Sequence, residues 1–382
     1  MKILVSCLAY DEGKSGISDY INSTVQELLS LGDDQPSEAH QLWLLIHPSD
    51  AAIFPVKHPR LNYIYVSEWL KRPLFSMLWH LYFLPLKVKL KSFDLVFLPA
   101  ANRRLLARYP NNVILTFHDL SQFHIPGKYD RFRTFYVKQL IPHYLAKARK
   151  IQAISENTKN DLLRYYRIKP IRITVNYNGY NPAKLDNPVP EDILRHKLGT
   201  RKKYLLYISR LEHPGKNHVN LLKAYDLLSP EIQNEYCLVC AGSAWNGSEA
   251  IFAEQSKLKH PANVIFPGFV TNDEMAALYR YASLYVFPSL YEGFGIPILE
   301  AFYCGIPVIC SNRSSLPEIG GTAVLTFNPE DPQSIASRIE EILSNPALQG
   351  EMIRKGTERL AHFSWRSHVR NLLALVRQTE SK

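Results

Sequence analysis

The sequence predicts an α/β protein of two Rossmann-like domains facing a central cleft, with a C-terminal helix crossing back to the first domain. Three observations carry this. The chain has 382 residues, comfortable for two domains of about 180 residues each. Short apolar runs alternate with helical stretches twice over, the pattern of parallel α/β architecture. Between the two sets, residues 181–203 hold three prolines and no apolar strand, so they read as an interdomain linker. The domains are read as 1–182 and 204–363, joined by a linker at 183–203, with a helix at 364–382 packing back on the first.

The strands follow in order. In the first half, KILVSCLA, HQLWLLIH, LNYIYVS, FDLVFLPA, NVILTFHD and KIQAIS read as strands; in the second, KYLLYISRL, YCLVCAGS, NVIFPGFV, ASLYVFPSL, GIPVICS and TAVLTFN do. Near-continuous apolar runs such as VILTF and LYVF fit strands buried on both faces of a parallel sheet. Helical patterns lie between them, SDYINSTVQELLSLG after the first strand and NDEMAALYRYA in the second set. At the end, Val369, Leu372, Leu373, Leu375 and Val376 have helical spacing.

Composition excludes several classes. With 46% hydrophobic and 21% charged residues, the chain reads as globular rather than disordered. No segment reaches the roughly 20 unbroken apolar residues of a spanning helix. The opening MKILVSCLAYDEGKSG is too short in apolar residues for a signal peptide and reads as a first buried strand, which implies a cytoplasmic location. Five scattered cysteines argue against a disulfide framework. Cys237 and Cys240 lie three apart on a strand and so point to opposite faces, which rules out a shared metal. No D-x-D and no H-x-x-x-H occurs. Neither a metal site nor a cofactor is therefore expected.

Charge is unevenly spread. Residues 51–150 hold 17 lysines and arginines against 4 acids, whereas residues 201–382 hold 18 of each. A basic first half points to an anionic surface as partner. Within it, WLKRPLFSMLWHLYFLPLKVKLK (69–91) has eleven residues between Pro73 and Pro85, nine of them apolar, flanked by Lys71, Arg72, Lys87, Lys89 and Lys91. Leu74, Met77, Leu78 and Leu81 share one helical face; Phe75, Trp79, Tyr82 and Phe83 cover much of the rest. Such a helix is either buried core or a membrane-surface helix with lysines on anionic headgroups.

Four constellations carry chemistry. At 288–307 a buried strand ends in a Gly-rich turn opening a helix with Pro297 in its first turn. Gly293 and Gly295 let the backbone approach a ligand, and the helix start suits a diphosphate or sugar hydroxyls. Glu292 on the loop and Glu300 in the helix can hold different parts of one extended ligand. On the loop after KYLLYI, Arg210 and Lys216 can converge on a diphosphate and stabilise its charge as it leaves. His118 and Asp119 follow the strand VILTF. After the first strand comes Gly13-Lys14-Ser15-Gly16, which fails as a P-loop because Leu8 stands where a glycine is required.

SLYEGFGIPILEAFYCGIPVICSN with SSLPEIGG resembles the E-x7-E region of the retaining family 4 (group 1) glycosyltransferases, whose fold is GT-B. SRLEHPGKN is similar to that family's G-R-L…K-N element, with Ser209 where glycine is usual. The resemblance spans nearly the whole chain. It implies that Glu292 faces the donor sugar and Glu300 the nucleotide ribose, with backbone amides of Phe294, Gly295 and Ile296 on the sugar. It further implies that Arg210 and Lys216 meet the diphosphate, that His118 lies near the anomeric carbon, and that Gly16 admits substrate. Ser155-Glu156, Asn178-Gly179 and the closing FSW match structural elements of the family. Its members transfer a hexose from a nucleotide-diphosphate sugar without a metal. HDLS with the Tyr- and Arg-rich stretch after it is similar to bacterial mannosyltransferases of surface-polysaccharide synthesis. The expected partners are a UDP- or GDP-hexose donor, a sugar or lipid-linked sugar acceptor and an anionic membrane surface through residues 69–91, with no nucleic acid. The rival readings are a nucleotide-sugar epimerase of the same architecture and a non-catalytic nucleotide-sugar-binding protein.

Overall fold

A computed structural model describes residues 1–125 and 134–377. The part of the Tyr- and Arg-rich stretch at 126–133, and residues 378–382 of the expected terminal helix, lie outside these. The chain divides into two compact units, one of Met1–Gln122, Tyr129–Gly179 and Phe363–Lys382, the other of Phe123–Lys128 and Tyr180–His362.

The first unit holds seven strands: β1 Lys2–Ser6, β2 Gln41–Ile46, β3 Leu61–Tyr65, β4 Leu95–Leu98, β5 Val113–Phe117, β6 Lys150–Ala153 and β7 Ile173–Val175. Every pair is parallel, in the order β3-β2-β1-β4-β5-β6-β7. β4 and β5 are buried throughout, as strands covered on both faces must be. The sequence reading lacked β7. It is a three-residue edge strand with one buried side chain, too short to leave a period.

The second unit holds β8 Lys203–Ile208, β9 Tyr236–Ala241, β10 Val264–Ile265, β11 Leu284–Phe287, β12 Val308–Ser311 and β13 Val324–Phe327. Their order is β10-β9-β8-β11-β12-β13, again all parallel. Cys237 and Cys240 are both buried on β9. Within 183–203 a helix, Glu191–Leu198, buries Leu194 and Leu198 and groups with the second unit. Its Lys197 pairs with Glu274 at 2.6 Å.

The helix Trp365–Arg377 belongs to the first unit. A buried polar cluster ties it there. His368 Nδ1 donates to the Tyr177 carbonyl at 2.9 Å, so Nε2 accepts from the Tyr20 hydroxyl at 2.8 Å. Tyr20, on the helix Gly16–Asp34, also lies 3.1 Å from the Thr116 hydroxyl of β5. Gly179 admits the terminal segment, since a Cβ there would sit 2.2 Å from the Trp365 nitrogen. Ser155 caps the helix Glu156–Tyr166 by accepting from the Thr158 amide at 3.0 Å.

Residues 73–87 form one helical run, Pro73–Leu78, a π turn at Trp79–Phe83 and Leu84–Lys87. Pro85 causes the irregularity. It has no N–H for the Leu81 carbonyl, which instead accepts from the Ala107 amide at 2.8 Å, while Leu84 bonds Trp79 five residues back. The run buries His80 and Ser76 together with Leu81 and Leu84, and leaves most of its other apolar side chains outside. His80 is fully buried, donating from Nδ1 to the Leu105 carbonyl and accepting at Nε2 from Ser6, both at 2.9 Å; Ser76 is also buried. Leu74, Phe75, Leu78, Tyr82 and Phe83 are exposed, and Leu86 is 79% exposed. Neither face drawn on the sequence is the buried one, because His80 turns inward to polar partners and brings Ser76, Leu81 and Leu84 inward with it. Among the described residues no helix is long and apolar enough to cross a membrane.

Burial pulls His80 down to about 3 and His368 to about 4, and lowers His118 as well. All three fold neutral and take up a proton on unfolding, so the unfolded chain binds more protons below its own pKa near 6.5. Stability is therefore fully present above pH 7 and falls between pH 6.5 and 4, by about 1.4 kcal/mol per pH unit for each of His80 and His368, with His118 acting in the same direction. Urea denaturation at pH 7.5, 6 and 5 checks this; equal midpoints would contradict the neutral histidines.

Candidate functional site

In the second unit the carboxyl ends of the adjacent strands β8 and β11 mark the point where strand order reverses, the usual place for a ligand in a doubly wound sheet. Two loops meet there. The loop Ser209–Asn217 leaves β8, and Asn217 anchors it by donating to the carbonyls of Pro288 (3.0 Å) and Pro329 (2.7 Å). The buried Tyr207 hydroxyl donates to the Lys216 carbonyl at 2.9 Å and lies 3.0 Å from the Ser289 hydroxyl. Burial and the nearby Glu292 charge push this phenol well up, so it stays a donor.

These anchors place Lys216 Nζ 2.6 Å from Glu292 Oε1, with both side chains mostly covered. Arg210 stands farther out, 53% exposed, 5.0 Å over the Trp245 ring and 3.5 Å from Glu212. A lysine held by a carboxylate on one side and open on the other is a preorganised cation for an incoming anion.

The turn after β11 is fixed from behind. The Ser314 hydroxyl accepts from the Glu292 amide at 2.9 Å, and the fully buried Ser315 hydroxyl lies 3.0 and 2.7 Å from the carbonyls of Glu292 and Phe294. Gly295 has φ +116°, and a Cβ there would stand 2.9 Å from Leu316 Cδ2. The helix Ile296–Tyr303 follows with Pro297 in its first turn and no side-chain cap. Pro297 has no N–H and the Ile298 amide bonds the Gly295 carbonyl at 3.0 Å, so what this end offers an anion is its dipole and the Ile296 amide. Glu300, one turn and more along, accepts from the buried Tyr279 hydroxyl at 2.9 Å.

The other two sequence-predicted residues lie in the first unit. His118 follows β5, is buried, and donates from Nε2 to the Pro99 carbonyl at 2.5 Å, with the Tyr20 ring edge-on at 4.7 Å. Gly16 opens the helix Gly16–Asp34, and a Cβ there would meet nothing within 4 Å. The structure thus gathers Arg210, Lys216, Glu292, Phe294, Gly295, Ile296 and Glu300 in one unit. Sequence reasoning missed Tyr279, Tyr207, Ser314 and Ser315. No local signal marks the tyrosines; the serines stand in the quoted SSLPEIGG run without a role.

Two doubly wound sheets, with an ion pair and an uncapped helix at the reversal point of the second, define the GT-B class of fold. A sucrose-phosphate synthase from Thermosynechococcus elongatus superposes with a TM-score of 0.74 at 19% identity, covering 100% of this chain and 99% of its own. HepE of Anabaena, solved with UDP and glucose, gives 0.71 at 17% identity, covering 99% of each. The glycosyl transferases group 1 model matches residues 189–359 and the glycosyltransferase family 4 model matches 24–184. This chain belongs to the group 1, family 4 glycosyltransferases. O-antigen chain mannosyltransferase B of Escherichia coli is 31% identical over 256 residues, 66% of each chain. The serotype-specific mannosyltransferase WbdA of Escherichia coli is 34% identical over 67% of this chain and 32% of its own length. The matched stretch therefore spans just under two thirds of the first relative and about a third of the second.

Glycine substitutions separate packing from function. Gly295→Ala should cost about 1–3 kcal/mol through the positive φ and the Leu316 contact. Gly16→Ala should leave stability unchanged or higher by up to about 1 kcal/mol. Thermal unfolding of both variants checks this; a stable Gly295→Ala would contradict the turn geometry.

Proposed function

We propose that this protein transfers a hexose from a UDP- or GDP-hexose to a hydroxyl acceptor, with retention and without a metal. The observation that carries this reading is the convergence of Lys216 and Glu292 beside the uncapped helix Ile296–Tyr303. In this reading Lys216, Arg210 and the helix N-terminus neutralise the diphosphate, which is the task a metal would otherwise perform. Glu292 positions the hexose and Glu300, oriented by Tyr279, holds the ribose. The anomeric carbon–oxygen bond to the diphosphate breaks while the acceptor oxygen bonds to the same face of that carbon. The acceptor proton passes to the departing phosphate oxygen. His118, as a neutral imidazole, lies near the anomeric carbon in this scheme. The mannosyltransferase relatives support mannose as the sugar and surface polysaccharide or glycolipid as the product.

The acceptor in this proposal is lipid-linked, and the protein works at the inner face of the cell membrane. The exposed apolar face of the 73–87 run supports this, together with exposed Arg72, Lys87, Lys89 and Lys91 beside it. At about 1 kcal/mol per cation near an anionic surface, these four supply about 4 kcal/mol, or roughly a thousandfold in affinity.

Three outcomes follow for the chemistry. Glu300→Ala should weaken UDP or GDP binding by about tenfold to a hundredfold, the loss of a charge-assisted hydrogen bond. Lys216→Ala and Arg210→Ala should each lower turnover on the order of 10²–10³, and EDTA should leave it unchanged. Calorimetry and a glycoside-forming assay measure these, and an isomerised nucleotide sugar in place of a new glycoside would mean an epimerase. For the membrane, co-sedimentation with phosphatidylglycerol vesicles should occur at low salt and be lost at high salt. Absence of binding at low salt would leave a soluble acceptor.

A further inference from the structure

In the first unit a cavity of about 320 Å³ opens beyond the carboxyl ends of β1, β2 and β4. It lies at the point where that sheet's strand order reverses, the corresponding place to the site in the second unit. Its walls come from the loop after β1 (Tyr10, Asp11, Lys14), from His47 and Asp50 after β2, and from Arg103 and Arg104 after β4.

The charges do not cancel. Asp50 is paired with Lys71 at 3.1 Å, Asp11 with Arg103 at 3.7 Å, and Glu12 with Lys14. That leaves Arg104. Its two terminal nitrogens donate to the carbonyls of Arg103 and Leu8, each at 3.0 Å, and its Nε has no partner among the described residues. Among the described residues no carboxylate acts on it, and burial draws the guanidinium down to about 10. An inward guanidinium without a counter-charge is costly unless a ligand supplies one.

Two buried acceptors complete the wall. Asp50 and His47 are 1% and 2% exposed, and Asp50 Oδ2 and His47 Nε2 have no partner among the described residues. His47 Nδ1 donates to the Val66 carbonyl at 3.0 Å, which leaves Nε2 as the ring nitrogen open to an acceptor role. Hydroxyl groups match such atoms, as an oxyanion matches Arg104. The volume is at the small end of ligand pockets, which run from roughly 300 to 1,000 Å³. That suits a single substituted sugar ring.

We propose that this cavity holds the acceptor saccharide, and that the saccharide carries a single anionic group, a phosphate ester or a carboxylate, against Arg104 and Arg103. The identification of the ligand as an acceptor rests on the transfer reading above; the anionic-saccharide site does not. In the complex, sugar hydroxyls donate to Asp50 and His47.

Calorimetry or ligand-observed NMR on the full chain, with glucose 6-phosphate, glucuronate and methyl glucoside, tests this, with UDP and GDP titrated in parallel. At least one charged probe should bind at least tenfold more tightly than methyl glucoside, and which one binds names the source of the charge. Arg104→Met should weaken that probe by about tenfold to a hundredfold with nucleotide affinity unchanged. Arg103→Met, at a part-exposed rim position, should act in the same direction and carries the test if the first variant does not fold. Equal binding of methyl glucoside, or charged-probe binding untouched in a folded Arg104→Met or Arg103→Met protein, would overturn the proposal. So would binding of nucleotide with no charged probe bound, which would leave the transfer reading standing. Charged-probe binding without nucleotide binding would keep the site and remove the transfer reading instead.

Discussion

The lateral pairing of β11 with β8 is the contact on which the candidate site depends. Leu284 and Tyr285 register against Leu205 and Leu206, although nearly eighty residues separate the strands. Because both strands run the same way, their outgoing loops leave the sheet at one end and side by side. Lys216 and Glu292, 76 residues apart in the chain, therefore meet at 2.6 Å. A salt bridge of two mostly covered side chains needs further support to repay desolvation. The surroundings provide it through Tyr207, Asn217, Ser314 and Ser315, which hold backbone rather than charge.

That division of labour recurs. Glu300 is oriented by Tyr279 from a neighbouring helix, and the turn carrying Glu292 is fixed by two serines from the loop after β12. The groups that would face a ligand are held in place by others that satisfy the backbone around them. The first unit shows the same economy differently. His368 uses both ring nitrogens in hydrogen bonds, and the Tyr20 ring stands edge-on to it and to His118, while the cavity below the loop after β1 retains donors and acceptors without a partner among the described residues.

Residues 73–87 illustrate how one buried histidine can set which face of a helix turns inward. His80 and Ser76 are the only polar side chains between Pro73 and Pro85, and both are buried. His80 replaces every bond to water with bonds to Ser6 and Leu105, so its burial is not penalised by an unmet donor or acceptor. Leu74, Phe75, Leu78, Tyr82, Phe83 and Leu86 are left outside, an exposed apolar patch of the kind that marks an interaction surface.

The linear pattern carried the architecture: twelve of thirteen strands, the two α/β halves and the E-x7-E turn are readable from apolar runs and glycine placement, because strand burial and turn conformation are set by residues close together in the chain. Gly295 is the clearest case, since its positive φ is a local requirement. The orientation of the 73–87 run was not readable, because it turns on Ser6 and Leu105, remote partners for one histidine. Nor was the imbalance at Arg104, whose neighbours come from loops after three different strands. Tyr279 and Ser315 gave no signal for the same reason: what a side chain faces is a property of packing, and packing joins residues that sequence order keeps apart.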